Sequence, residues 1–335
     1  MSDPRWLVSR PFDLFMFGVP ALVALLLVPL GPLISPSGAL PLPMWWIAVL
    51  AVDVAHVWAT LYVTYLDRQV WKGRRTHLVA APLGVLAACA LVLFGAGWEV
   101  FWTGLAYLAV FHFVRQQAGW MALYHRNDPE LGRGERYFDI ALIYGATIYP
   151  LLWWHAHLPR GFAWMVDGDF LDGAALRPIS DVLFYPYLIL IAGWLLVQAR
   201  GFVRGRGRPG KVLLGGTTAA CWGVGIIATN TDWAFTVTNV LIHGVPYFGW
   251  VWVRSHRPGP GAAGFAAALA AFYGLLFGIA VLEEWAWDRA VWGEGAWSSE
   301  PWVLAATAVL AVPQVTHYVL DGVIWKRRFR EGLPA

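Results

Sequence analysis

Residues 109–120 read AVFHFVRQQAGW. The flanking residues make this a run long and apolar enough for a membrane-spanning helix, yet His112, Arg115, Gln116 and Gln117 fall within two turns of it. Strongly polar groups at bilayer depth are costly, so a span that keeps them points to a function.

The rest of the chain supports reading this run as a span. Of 335 residues, 59% are hydrophobic and only 13% are charged, far below the quarter-charged norm of soluble domains. Mean hydropathy is +0.55. The 22 tryptophans fit a protein with two membrane–water interfaces, where indoles concentrate. The opening MSDPRWLVSRPFD is polar, and the apolar run after it is too long for the core of a cleavable signal peptide. Cys89 and Cys221 both lie in apolar runs, which gives neither a disulfide framework nor a cysteine metal site.

Runs of about 20 apolar residues mark candidate spans. Ten are expected, at 12–34, 44–66, 78–97, 99–124, 138–157, 181–199, 211–229, 233–253, 262–283 and 301–325. Basic residues follow every second one: Arg68, Lys72, Arg74 and Arg75; Arg126, Arg133 and Arg136; Arg200 to Lys211; Arg254 and Arg257; Lys326 to Arg330. The intervening loops hold acidic residues such as Asp167, Asp169, Glu283 and Glu284. By the positive-inside rule the expected architecture is an all-α, polytopic transmembrane bundle with both termini cytoplasmic. It forms a single domain over 1–335 in the cytoplasmic (inner) membrane. The basic stretch GFVRGRGRPGK is then an orientation signal rather than a nucleic-acid site.

Four histidines fall inside these spans: His56 in DVAHVWAT, His112 in FHFVRQQ, His243 in VLIHGVPYF and His317 in VTHYVLD. They belong to the second, fourth, eighth and tenth spans, which all run from outside to inside. Each lies roughly 9 to 14 residues before the basic group that closes its span, or about 14–21 Å at 1.5 Å per residue. The four therefore share one layer near the membrane middle. Imidazole is the commonest metal ligand, and a cluster of imidazoles without Met or Cys suits Fe, Zn, Cu(II) or Ni better than Cu(I). Asp53, three residues before His56, and Asp321, four after His317, are spaced to share a helical face with their histidines. They are candidate partners for the second imidazole nitrogen or for the metal. Arg115 would either pair with one of these carboxylates or hold a polar end of the substrate. Gln116, Tyr247 and Phe248 are candidate substrate contacts, while Trp250 and Trp252 read as interface anchors. The remaining histidines, His77, His125, His155, His157 and His256, read as surface or span-end residues, with His125 the one placed to serve an entrance.

At these residues the chain resembles the Brp/Blh family, membrane β-carotene 15,15'-dioxygenases that use non-haem iron. FHF around His112 is similar to that family's Ile-His-Phe-Gly motif. LIHGVPYFGWVW resembles its Phe-Ile-His-Ser-x-x-His-Phe segment, with Tyr247 where the second histidine would stand. VPQVTHYVLDGVIWKRR is similar to its last motif, a Val-Pro-His run followed by an Asp and a basic tail, with a longer Pro-to-His spacing here. Around His56 the family's His-Gly-x-x-x-Asp is replaced by an Asp that precedes the histidine. The resemblance covers four helices and implies Fe(II) and O₂ chemistry, without carrying β-carotene over as substrate.

The expected function is therefore a membrane iron oxygenase acting on a lipophilic substrate: a carotenoid, polyene, sterol or acyl chain. A di-iron desaturase would need closely spaced histidine boxes, and the only close pair is His155 and His157, on the opposite side. A transporter using buried His, Asp and Arg as a proton or ion relay is the alternative. Membrane lipid, the lipophilic substrate and O₂ are the expected partners.

Overall fold

The computed structural model describes residues 3–255, 262–293, 299–326 and 329. His256, Arg257, Arg327, Arg328 and Arg330 lie outside the described residues. The chain is all-helical, with 82% of residues in helix and no strand among the described residues.

The helices are α1 (Arg10–Ile34), α2 (Leu42–Val63), α3 (Arg68–Ala96), α4 (Trp98–Asn127), α5 (Arg133–Ala156), α6 (Ala174–Val203), α7 (Pro209–Ala228), α8 (Asp232–Ser255), α9 (Ala263–Trp292) and α10 (Pro301–Ile324). Each expected span falls on one of them. Seven are long and apolar enough to cross a membrane, which marks a multi-pass membrane protein. The other three, α4, α5 and α8, carry His112 and Arg115, Asp139, and Asn239 and His243. Their polar residues lower the hydropathy that defines a span.

Local signals set the ends. Asp67 caps α3, accepting from the backbone N–H groups of Gln69 and Val70 at 2.9 and 3.1 Å. This starts the helix ten residues before its apolar run, so His77 sits on an exposed helical face. Gly97, at φ +87°, ends α3 in a conformation other residues resist and turns the chain directly into α4. α9 runs past its apolar run to Trp292, because no Pro or Gly interrupts residues 279–292. Glu283 and Glu284, expected in a loop, are therefore helical, and Glu283 accepts a 2.6 Å hydrogen bond from the Trp58 indole.

The chain divides into two compact units, residues 1–44 with 110–246, and residues 45–109 with 247–335. In the first unit α5 packs on α6 and α7, and α7 packs on α1. Trp233, Ala234 and Val237 of α8 gather Leu27, Val28, Leu40 and Met44 into an apolar core. In the second unit α10 packs on α2, α3 and α9, and α9 packs on α2.

Candidate metal centre

In the first unit, His112 of α4 and His243 of α8 are 5% and 0% exposed. Their ring centroids are 5.1 Å apart, and each ring offers a ligating nitrogen within 4.8 Å of the other's. Phe113 stacks on His243 at 3.6 Å with nearly parallel rings, and Trp164 closes edge-on against Phe113 at 4.9 Å. These aromatic contacts fix the His243 ring and screen it from water. One turn from each histidine stands a buried amide: Gln116 at i+4 from His112, and Asn239 at i−4 from His243. Both ends of the Gln116 amide and the Asn239 carbonyl oxygen are buried without a hydrogen-bond partner. Such orphaned groups in an apolar layer call for a ligand or water. Gln117 instead accepts from Thr218 at 3.0 Å.

In the second unit, His56 of α2 and His317 of α10 are 2% and 1% exposed, with ring centroids 5.0 Å apart. His56 Nδ1 lies 3.6 Å from Asp53 Oδ1, so the carboxylate stands beside the ring it was expected to orient. Asp321 reaches His317 by a hydrogen-bonded route. His317 Nδ1 contacts Thr60 Oγ1 at 2.7 Å, Thr60 contacts the Tyr247 hydroxyl at 2.9 Å, and Tyr247 donates to Asp321 at 2.9 Å. Trp325 donates to the same carboxylate oxygen at 2.6 Å. An ionised Asp321 only accepts, and in that state the proton polarity of this chain follows. Tyr247 gives its proton to Asp321, Thr60 gives its proton to Tyr247, and His317 must therefore donate from Nδ1 to Thr60. That tautomer puts the lone pair of His317 on Nε2, where a metal would bind.

The other expected residues separate from these pairs. Arg115 lies on the exposed face of α4 and donates to the Tyr144 hydroxyl of α5. Phe248 is half-buried against Tyr273. Trp250, expected at an interface, is 4% exposed, with the Arg254 guanidinium 4.3 Å over its ring. His155 and His157 bond backbone carbonyls one turn back and stack on Phe170 and Trp153.

Sequence reasoning did not reach Thr60, Trp325 or Phe113, and it placed His125 near the surface. His125 is buried and hydrogen-bonds Asp139 at 3.0 Å. The same fully buried carboxylate accepts from Lys211 and from the Trp194 indole, both at 2.8 Å. Lys211 also bonds Glu135. Four helices of the first unit, α4 to α7, thus meet at one saturated carboxylate.

Comparison with protein-family models, curated proteins and solved structures finds no match to this chain.

Proposed function

We propose that the chain is an integral-membrane, non-haem iron oxygenase of the cytoplasmic membrane, acting on a lipophilic substrate such as a carotenoid, polyene, sterol or acyl chain. The observation that carries the proposal is the repetition of one arrangement: each compact unit offers a buried histidine pair with ring centroids about 5 Å apart. The donor set fits a borderline divalent metal, because buried imidazoles without Cys or Met suit such an ion and a carboxylate lies near His56 and, through Thr60 and Tyr247, near His317. In this reading His56, His112, His243 and His317, which the sequence places at one depth, are the Fe(II) ligands. Bound iron would supply the redox chemistry that O₂ needs to attack an apolar substrate.

The protein residues supply the rest. The Thr60–Tyr247–Asp321 chain orients His317, and Asp53 stands beside His56. Phe113 and Trp164 keep water away from His243. Gln116 and Asn239 offer the polar contacts that orient an otherwise apolar ligand.

Elemental analysis of the purified chain is the test. The expected result is near-stoichiometric iron, lost on Ala replacement of any of the four histidines and retained in His77→Ala and His155→Ala. Zinc in place of iron would overturn the redox chemistry. A metal-free protein would overturn the centre altogether.

A second reading rests on the His125–Asp139–Lys211 cluster. Buried ionisable groups across α4, α5 and α7 are the equipment of a proton-coupled transporter. pH-dependent uptake by a metal-free protein would favour it over the oxygenase.

A further inference from the structure

The second unit holds a half-open cleft of about 270 Å³ between α2, α3 and α10. Leu61, Tyr65, Pro82, Val312 and Pro313 are half-buried at it, and Thr60, Thr316, His317 and Leu320 lie deeper. The volume sits just under the ~300–1,000 Å³ of ordinary small-molecule pockets, so the cleft accommodates a segment of a lipid and not a whole large one. Its lining is apolar and contains no Lys or Arg.

The side-chain hydroxyls and the indole nitrogen of the lining are committed, with one exception. The Trp58 indole donates to Glu283, the Tyr65 hydroxyl donates to the Leu78 carbonyl at 2.8 Å, and Thr60 is held between His317 and Tyr247. The hydroxyl of Thr316 is buried, with the residue 6% exposed, and has no hydrogen-bond partner; a turn of its side chain about χ1 brings it to a ligand in the cleft. A buried hydroxyl left unpaired at an apolar cleft loses the hydrogen bonds it had in water. A ligand that restores one gains selectivity, because a ligand lacking the matching atom leaves the hydroxyl stranded.

We infer that this cleft is a subsite for an apolar chain bearing one neutral oxygen, an alcohol or a carbonyl, which hydrogen-bonds Thr316 beside His317. A carboxylate does not fit, because no cation lines the cleft to offset its desolvation. A plain hydrocarbon fits by shape and leaves Thr316 unpaired. The inference deepens the oxygenase reading, and rests on it only for what happens after binding. It narrows the lipophilic substrate to an oxygen-bearing lipid whose polar atom is set next to a proposed metal ligand.

The test uses the full chain in lipid nanodiscs and a dodecanol carrying a chain diazirine. Photolabelled peptides are mapped by mass spectrometry, with dodecanol, dodecane and dodecanoate as competitors. Labelling is expected on the α2 and α10 peptides that carry Leu61 and Leu320. Dodecanol should displace the probe about three- to tenfold better than dodecane, the discrimination of one neutral hydrogen bond. T316V should erase that preference, T316S should keep it, and L320W should fill the cleft and remove the labelling. Equal competition by dodecane, strongest competition by dodecanoate, or an unchanged preference in T316V would each overturn the subsite. Metal content, measured on the same preparations, tests the oxygenase reading separately, so failure of one is not mistaken for failure of the other.

Discussion

Thr60 shows how much one small side chain can decide. Its hydroxyl has one proton and stands between two groups, and with Asp321 ionised at the far end of the chain that proton points to Tyr247. Removing the hydroxyl while keeping the shape, as in Thr60→Val, frees His317 to adopt either tautomer and leaves Tyr247 with a missing donor. The variant is expected to stay folded and to lose roughly 10–100-fold in metal affinity, the usual cost of removing a partner that orients a ligand. Chelator competition against the wild-type chain measures this, and Thr60→Ser should retain nearly all of the affinity. Asp53→Asn and Asp321→Asn should weaken retention over the same range, and full metal in both would make these carboxylates purely structural. The sequence pointed to the two aspartates through helical spacing. Thr60 was not legible, because a threonine in an apolar helix normally back-bonds to its own chain, as Thr64 does to Thr60. Nothing in the sequence marks the threonine that turns outward to a histidine 257 residues away.

Among the helices, the apolar runs located every element, because twenty consecutive apolar residues have few other uses. Ends were less legible where a cap or an absent breaker overrode hydropathy, at Asp67 for α3 and across Glu283–Trp292 for α9. Least legible was the polar joint of α4 to α7. His125, Asp139, Trp194 and Lys211 lie in four different elements; His125, Asp139 and Lys211 sit at the ends of expected spans, and Trp194 inside one. A carboxylate saturated by three donors makes a specific prediction. Asp139→Leu leaves the buried Lys211 ammonium with Glu135 as its anionic partner and strips His125 and Trp194 of their acceptor, and should cost about 3–5 kcal/mol. Lys211→Met alone should be similarly harmful, since it leaves Asp139 with less charge compensation. The double variant Asp139→Leu/Lys211→Met should recover part of the loss, because replacing the ion pair by apolar groups is often near neutral while His125, Trp194 and Glu135 still lose a partner. Denaturation midpoints in detergent compare the three. Additive losses in the double variant would show that the two groups act independently. α7 and α8 are joined more simply. A Cβ on Gly225 would come within 2.0 Å of Thr238 Oγ1, so Gly225→Val should displace α8, which carries Asn239 and His243. Overpacking of this kind costs about 1–3 kcal/mol, and here it should also appear as lost metal.

At the scale of the whole chain, the depth argument for the proposed centre depends on a statement about topology, because distances counted from the basic ends refer to one face only if α2, α4, α8 and α10 all cross in the same direction. The first unit contains a direct check of that alternation. The loop before α6 carries Asp167, Asp169 and Asp172, with Asp169 folded back onto the N–H groups of Trp164, Met165 and Val166. The loop after α6 carries Arg204, Arg206 and Arg208, and Arg208 pairs there with Asp128 at the end of α4. Between them α6 runs for 30 residues, about 45 Å at 1.5 Å per residue and longer than a hydrocarbon core of about 30 Å. The acidic and basic loops should therefore lie on opposite sides of the membrane, with the arginines inside. The Arg208–Asp128 pair also ties the basic end of α6 to the C-terminal end of α4, which places the end of α4 on the same side as those arginines. Reporter enzymes that are active on only one side, fused after Gly168 and after Gly205, should give opposite signals. The Gly205 fusion is expected to report cytoplasm. Two signals from the same side would mean that α6 does not cross. Every later span would then be inverted, and His243 and His317 would approach the membrane from the direction opposite to His56 and His112. Distances counted from the basic ends would no longer refer to one face, and the argument from common depth would fail even if each histidine pair stayed intact.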